Sequence, residues 1–208
     1  MLAPGAVRFV GPPGAVALLL GLLTATRVLP PSPFVLASFL TAGALAAFFA
    51  AFFRDPERVP GGGIVSAADG RVRAVEVDGD RLRISVFMNV TNVHVNRFPL
   101  DATVVEVSPG GAGHRPAYRP DAGRNVRRSY RLETAIGEVE VVQITGILAR
   151  RLVAFVRAGD TGQKGQRLGM IVLGSRVDVV LPAARAEATV RVGAAVLAGT
   201  TAIARERP

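Results

Sequence analysis

Hydrophobic and polar positions divide the chain into two regions of different period. Phe9 to Thr26 is an 18-residue stretch without a charge, and 26 uncharged residues lie between Arg27 and Arg54, broken near their start by Pro30, Pro31 and Pro33. The part from Pro33 to Phe53 is 21 residues long. As a helix rising about 1.5 Å per residue it would extend roughly 30 Å, the thickness of a bilayer core. In the first stretch Pro12 and Pro13 predict a late start, giving a helix over Gly14 to Leu29 with Arg27 near the interface, an arm that spans, re-enters or lies on the bilayer. Residues 1–53 therefore read as a membrane-anchoring α-helical hairpin. Two readings compete with it: a secretory signal peptide over residues 1–26, and two buried core helices. The longer apolar run that follows at once speaks against a soluble secreted product. Arg8, Arg54 and Arg58 flank the hairpin, so the positive-inside tendency places both its ends, and residues 54–208, on the cytoplasmic side of the cell membrane.

From Ile64 onward the pattern changes to short Val- and Ile-rich stretches separated by Gly, Asp and Pro, which predict strands and turns. Alternation over Arg71 to Val77 and Arg81 to Phe87, joined by Asp78-Gly79-Asp80, predicts a hairpin. Ser129 to Glu133 with Glu138 to Thr145, and Val177 to Leu181 with Thr189 to Val192, predict two more. Gly159 to Gly165 and Gly193 to Gly199 share a Gly-x5-Gly spacing, each followed by a small apolar strand, a short internal repeat.

Composition narrows the chemistry. The chain has no cysteine, which removes disulfides, thiolate metal sites and cysteine nucleophiles, and only two histidines, His94 and His114, so no metal site is expected. Its net charge of +9 comes almost wholly from arginine, with Lys164 the single lysine, and favours anionic partners such as phosphates or acidic lipid headgroups. No patch of interleaved basic and aromatic residues and no zinc-finger spacing supports nucleic-acid binding.

Five blocks carry the chemistry: AFFRDPERVP at 51–60, SAADGRV at 66–72, FMNVTNVHVNRFP at 87–99, QITGILARRLV at 143–153 and GQRLGMIVLGSRVDVVLP at 165–182. In order and spacing they resemble the phosphatidylserine decarboxylases, particularly the short bacterial and archaeal form. The resemblance implies a mainly β catalytic domain, of lipoyl-like or barrel-sandwich type, over 54–208. It also implies a proenzyme that cuts its own backbone between Gly174 and Ser175 into a β chain of residues 1–174 and an α chain of residues 175–208. Ser175 Oγ would attack the Gly174 carbonyl, the ester would break by β-elimination, and hydrolysis of the dehydroalanine would leave a pyruvoyl group with loss of ammonia. That covalent cofactor would form a Schiff base with the serine amine of the phospholipid and accept the electrons released with carbon dioxide, giving phosphatidylethanolamine without metal or pyridoxal phosphate.

By the same resemblance Asp69, in the Ala-Asp-Gly turn, would orient or charge-stabilise a histidine acting as base, and His94 would be that base. Asn96, Arg97, Arg150, Arg151 and His114 are candidates for contact with the substrate, the arginines because guanidinium matches phosphate geometry. The sequence departs from the family pattern at Arg97, where longer members carry a second histidine, and at Arg176, where Thr or Ser is common. A homo-oligomer is expected. Archaetidylserine or another serine phospholipid is an alternative substrate, and a non-catalytic membrane-tethered lipoyl-like binding module is the alternative outside enzymes.

Overall fold

A computed structural model of the chain describes residues 1–113, 115–116, 124–146, 151–172 and 175–207. They form two compact units, Met1–Pro56 and Glu57–Pro208.

The first unit is a helical hairpin of α1 (Val7–Ala25) and α2 (Pro33–Phe52). Ser32 caps α2 by accepting from Val35 N at 3.3 Å, and Pro33 takes the first helical position, where its missing N–H leaves no bond unmade. Contrary to the expected start at Gly14, α1 begins at Val7 and passes through Pro12 and Pro13. Packing holds the turns ahead of the prolines: the Phe9 ring stacks on Phe53 with centroids 4.8 Å apart, and Ala3 N donates to Phe53 O at 2.8 Å. The helix stops at Ala25, short of Leu29, because Arg27 adopts φ 59°, outside the helical region. Small residues let the helices approach, with Gly14 facing Ala46 and Gly21 facing Phe39. Leu18, Leu22, Phe34 and Leu40 all point outward. Two helices that are long and apolar enough to cross a bilayer, with their apolar surface exposed, are not core helices and point to membrane association.

The second unit is mainly β. Its strands are β1 (Ile64–Val65), β2 (Gly70–Asp78), β3 (Arg81–Met88), β4 (Val95–Arg97), β5 (Ala102–Gly110), β6 (Arg127–Thr134), β7 (Gly137–Thr145), β8 (Arg151–Ala154), β9 (Thr161–Gly162), β10 (Arg167–Val172), β11 (Ser175–Pro182), β12 (Ala186–Ala188), β13 (Ala195–Val196) and β14 (Ala202–Glu206). An eight-stranded antiparallel sheet runs β13-β2-β3-β11-β7-β6-β5-β9, and two three-stranded sheets run β1-β14-β12 and β4-β10-β8. The hairpins β2–β3, turning at Gly79-Asp80, and β6–β7 are those the alternation predicts.

The third expected hairpin does not form. Val177 to Leu181 lies in β11, at the middle of the large sheet between β3 and β7, while residues 189–192 are not strand. The reason is burial: Val177, Val179 and Leu181 are fully enclosed. At about 1.5–3 kcal/mol per enclosed aliphatic side chain, a strand of this kind is most stable with neighbours on both edges.

The glycine repeat is structural. Gly159, Gly165, Gly193 and Gly199 all have φ between 75° and 91°, a conformation that favours glycine. Gly159 N donates to Val104 O and Gly193 N to Val72 O, both at 2.8 Å, and the strands between, β9 and β13, close opposite edges of the sheet on β5 and β2. The equivalence extends to side chains: Asp101 Oδ1 accepts from Lys164 N at 2.7 Å, and Asp69 Oδ1 from Ala198 N at 2.8 Å.

Candidate active site

β10 belongs to a three-stranded sheet and β11 to the eight-stranded one, so the chain passes from sheet to sheet over Leu173 and Gly174. Both of these lie outside the described residues. Ser175 opens β11, paired with Met88 of β3 on one side and Thr145 of β7 on the other. Its side chain is fully buried and faces the core, with Oγ donating to Met88 Sδ at 3.5 Å. A thioether is a weak acceptor, so the hydroxyl is placed without being firmly engaged.

His94 comes out of a loop braced by two asparagines. Asn92 Oδ1 accepts from Asn89 N at 2.9 Å, and Asn89 Oδ1 accepts from Thr91 N at 3.1 Å. The His94 ring is buried, with Nδ1 2.9 Å from Asn92 O. A carbonyl oxygen can only accept, so Nδ1 is the donor and, in the neutral ring, Nε2 carries the basic lone pair. The backbone ties His94 to β10, because its carbonyl accepts from Ile171 N near the end of that strand at 3.2 Å.

Asp69 is bonded elsewhere than to His94 in this structure. Its carboxylate is held by Arg58, with Nη1 on Oδ1 and Nη2 on Oδ2 at 2.8 Å, and by Ala198 N; among the described residues it makes no bond to the histidine. Its carboxylate ties the turn that contains it to Arg58 and to the backbone at Ala198. Ser66 Oγ closes this turn on Ala68 O at 2.7 Å, and Ala67 O docks it on β4 by accepting from Arg97 N at 2.9 Å.

The expected substrate contacts separate. Asn96 and Arg97 are both buried in β4, Asn96 bonded to Gln143 and Arg97 Nη1 donating to Gly165 O at 2.8 Å, so neither faces solvent. Contact with substrate would need them exposed, but β4 is buried along its whole length. Arg151 is exposed at the head of β8 and pairs with Val172, the last residue of β10. Arg150 and His114 lie outside the described residues.

The sequence matches the phosphatidylserine decarboxylase family model over residues 45–204. The phosphatidylserine decarboxylase proenzyme of Thermobifida fusca is 47% identical over 165 residues, 78% of this chain and 76% of that one. A protein of Halobacterium salinarum, carried as a candidate archaetidylserine decarboxylase proenzyme, is 48% identical over 166 residues, 78% of this chain and 83% of its own. The Streptomyces coelicolor phosphatidylserine decarboxylase proenzyme is 43% identical over 167 residues, 79% of this chain and 76% of that one. The chain belongs to the phosphatidylserine decarboxylase family.

Several residues around the site of this decarboxylase escape a sequence reading. Gln143 and Tyr130 are fully buried and bonded to each other at 3.0 Å. The available signal was the polar Gln143 among the core-facing positions Val139 and Val141 of β7. Arg58, whose charge suggested a membrane flank, is instead the partner of Asp69, with side chains 11% and 5% exposed. Arg176 turns to the face of β11 opposite Ser175 and makes a bidentate pair with buried Asp178, Nε to Oδ1 at 2.7 Å and Nη2 to Oδ2 at 2.6 Å. Hydrogen bonding to Asp178 raises the Arg176 pKa, so the departure from Thr or Ser at this position is matched by a carboxylate two residues on.

Removing one partner of an enclosed ion pair leaves the other charge buried and costs about 3 kcal/mol. Arg58→Ala is therefore expected to lower the thermal midpoint of the purified chain by roughly 10 °C, at about 2–4 °C per kcal/mol for a unit of this size. A midpoint within about 2 °C of wild type would show that Asp69 does not depend on Arg58.

Proposed function

We propose that the chain is a phosphatidylserine decarboxylase of the cytoplasmic membrane that converts its own Ser175 into a pyruvoyl group. The observation that carries the reading is a buried, core-facing serine hydroxyl at the head of β11, next to the crossing between two sheets. The backbone of His94 is bonded to the strand that leads into that crossing.

Self-cleavage begins with attack of Ser175 Oγ on the Gly174 carbonyl carbon, while His94 Nε2 takes the hydroxyl proton. The C–N bond between residues 174 and 175 breaks, the nitrogen takes up a proton, and an ester joins Gly174 to Oγ. Removal of the Ser175 α-proton expels the Gly174 carboxylate and leaves dehydroalanine, which water converts to the pyruvoyl group and ammonia. The surroundings fit that group: the ketone forms at the Cα of residue 175, its oxygen taking the place of the lost nitrogen, and the hydroxymethyl group becomes a methyl in a dry position beside Met88, with the Asn96 amide on the same sulfur. Once formed, the group supplies an electron-accepting carbonyl for loss of carbon dioxide from an amine-bearing carboxylate. His94 then returns a proton to the product carbon.

Arg151, exposed beside Val172, would meet the phosphodiester, and Arg150 and His114 stay candidates for the same contact. Arg8 and Arg54 at the two ends of the hairpin support a cytoplasmic orientation. Asp69, through Arg58 and Ala198 N, would hold the 66–70 turn that Ala67 O docks on β4. Archaetidylserine is the second reading, favoured by the 48% identity to the Halobacterium protein.

Intact mass and a denaturing gel of the membrane-reconstituted protein test the proposal. Two chains are expected, the smaller beginning at residue 175 with no free amino group, and carbon dioxide release from phosphatidylserine vesicles. A single full-length chain under these conditions would overturn the reading, and activity confined to archaetidylserine vesicles would transfer it to the second substrate.

A further inference from the structure

Five fully buried side chains make a hydrogen-bonded path from Tyr130 to Ser175 whose links converge on the sulfur of Met88. Tyr130 Oη of β6 donates to Gln143 Oε1 of β7 at 3.0 Å, and Gln143 Nε2 donates to Asn96 Oδ1 of β4 at 2.8 Å. Asn96 Nδ2 donates to Met88 Sδ at 3.8 Å, the sulfur that also accepts from Ser175 Oγ at 3.5 Å. The direction of the first three links follows in order from Tyr130, and the sulfur of Met88, which can only accept, takes the last from Ser175. Burial pushes the Tyr130 pKa up to about 12, against a smaller opposing effect of Arg128, so the phenol stays neutral and able to donate. Its proton fixes the oxygen end of Gln143, the Gln143 NH2 fixes the oxygen end of Asn96, and the Asn96 NH2 is left facing Met88 and Ser175. Neither amide can turn over without setting like ends against each other.

The path also joins the two sheets. Tyr130 and Gln143 belong to the eight-stranded sheet, whereas Asn96 belongs to the sheet of β10 and pairs there with Gly169. A Cβ on Gly169 would lie 2.5 Å from Tyr130 Oη and 3.0 Å from Gln143 Nε2. The strand leading into the cleavage segment therefore rests directly on this pair, and only glycine allows it.

We propose that Tyr130 and Gln143 are positioning residues for self-cleavage, which by orienting the Asn96 amide hold Met88 and the Ser175 hydroxyl in place where the chain crosses between sheets. The proposal rests on the cleavage reading above.

Gln143→Glu tests it in the full chain, with conversion of newly made precursor into two chains followed across pH. A neutral carboxylic acid keeps the pattern of the amide, accepting from Tyr130 and donating to Asn96. The ionised form can only accept, and turns Asn96 round. The titratable groups already around the path are Tyr130, Arg128 beside it and His94 two residues before Asn96, so each rate is read as a ratio to wild type at the same pH. The ratio is expected near one at acid pH and about tenfold lower once the introduced carboxyl ionises. Gln143→Leu should be about tenfold slower at every pH, and Tyr130→Phe severalfold slower.

A ratio for Gln143→Glu that does not change with pH overturns the proposal while leaving the cleavage reading intact. The same holds if the losses only track the folded fraction, measured by thermal melting at each pH. A wild-type chain that stays whole removes both.

Discussion

Ser175→Ala is expected to remain a single chain of 208 residues and to lose decarboxylation by a factor of at least about 10⁴, because in the proposed mechanism one side chain is both nucleophile and precursor of the cofactor. The loss should not reflect unfolding. The substitution removes a single hydroxyl whose partner is a sulfur, so stability is expected to stay within about 1 kcal/mol of wild type. Nearby hydroxyls are poor substitutes. Thr145 Oγ1 donates to Val126 O at 2.9 Å and Ser66 Oγ to Ala68 O at 2.7 Å, so each is tied to a carbonyl. Ser85 is buried but alternates with the core-facing Ile84 and Val86, and its side chain lies on the other face of β3. A gel and intact mass showing two chains from Ser175→Ala would place the nucleophile elsewhere.

Much of the β unit could be read from local pattern, because its hairpins join neighbours in sequence. The β2–β3 turn at Gly79 has the Asp-Gly chemistry that fixes a register, and the structure pairs Asp78 with Arg81 across it. β11 could not be read in this way. Its partner Met88 lies 87 positions away from Ser175, and nothing in a short window distinguishes a central strand from one arm of a hairpin. The start of α1 failed for a related reason: proline chemistry is local, whereas the stacking of Phe9 on Phe53 that overrides it joins the two ends of the unit.

At the site, residue types were legible and their partners were not. Ser175 and His94 stand out through their motifs, yet the carboxylate of Asp69 is bonded to Arg58, eleven positions upstream, in a segment that reads as a membrane flank. Arg97 and Asn96 look like surface groups in a three-residue strand, and only the three-dimensional layering encloses them. The glycine repeat was legible as spacing, but its meaning is geometric: matched turns close the two edges of one sheet, and Asp101 and Asp69 accept from equivalent N–H groups in them, those of Lys164 and Ala198. The equivalence assigns the backbone contact of Asp69 to the fold and leaves Arg58 as what distinguishes it from Asp101.

His94→Ala is expected to slow self-cleavage by about 10²–10⁴, the usual contribution of a positioned acid–base group, and to depress turnover in any chain that does cleave. The wild-type rate should fall at acid pH as the ring protonates and its lone pair is lost, and the residual rate of the variant should lack that limb. The measurement is the time course of precursor conversion at several pH values, and unchanged conversion would remove His94 from the mechanism. Geometry makes a sharper comparison available. The tautomer of His94 is set by the neutral carbonyl of Asn92, while Asp69 is committed to Arg58. Asp69→Asn, corrected for any loss of folded protein, should therefore slow cleavage at least about tenfold less than His94→Ala. Equal losses in the two variants would mean that the carboxylate supports the imidazole directly, as the Ala-Asp-Gly motif had suggested, and that Asp69 exchanges Arg58 for His94 during the reaction.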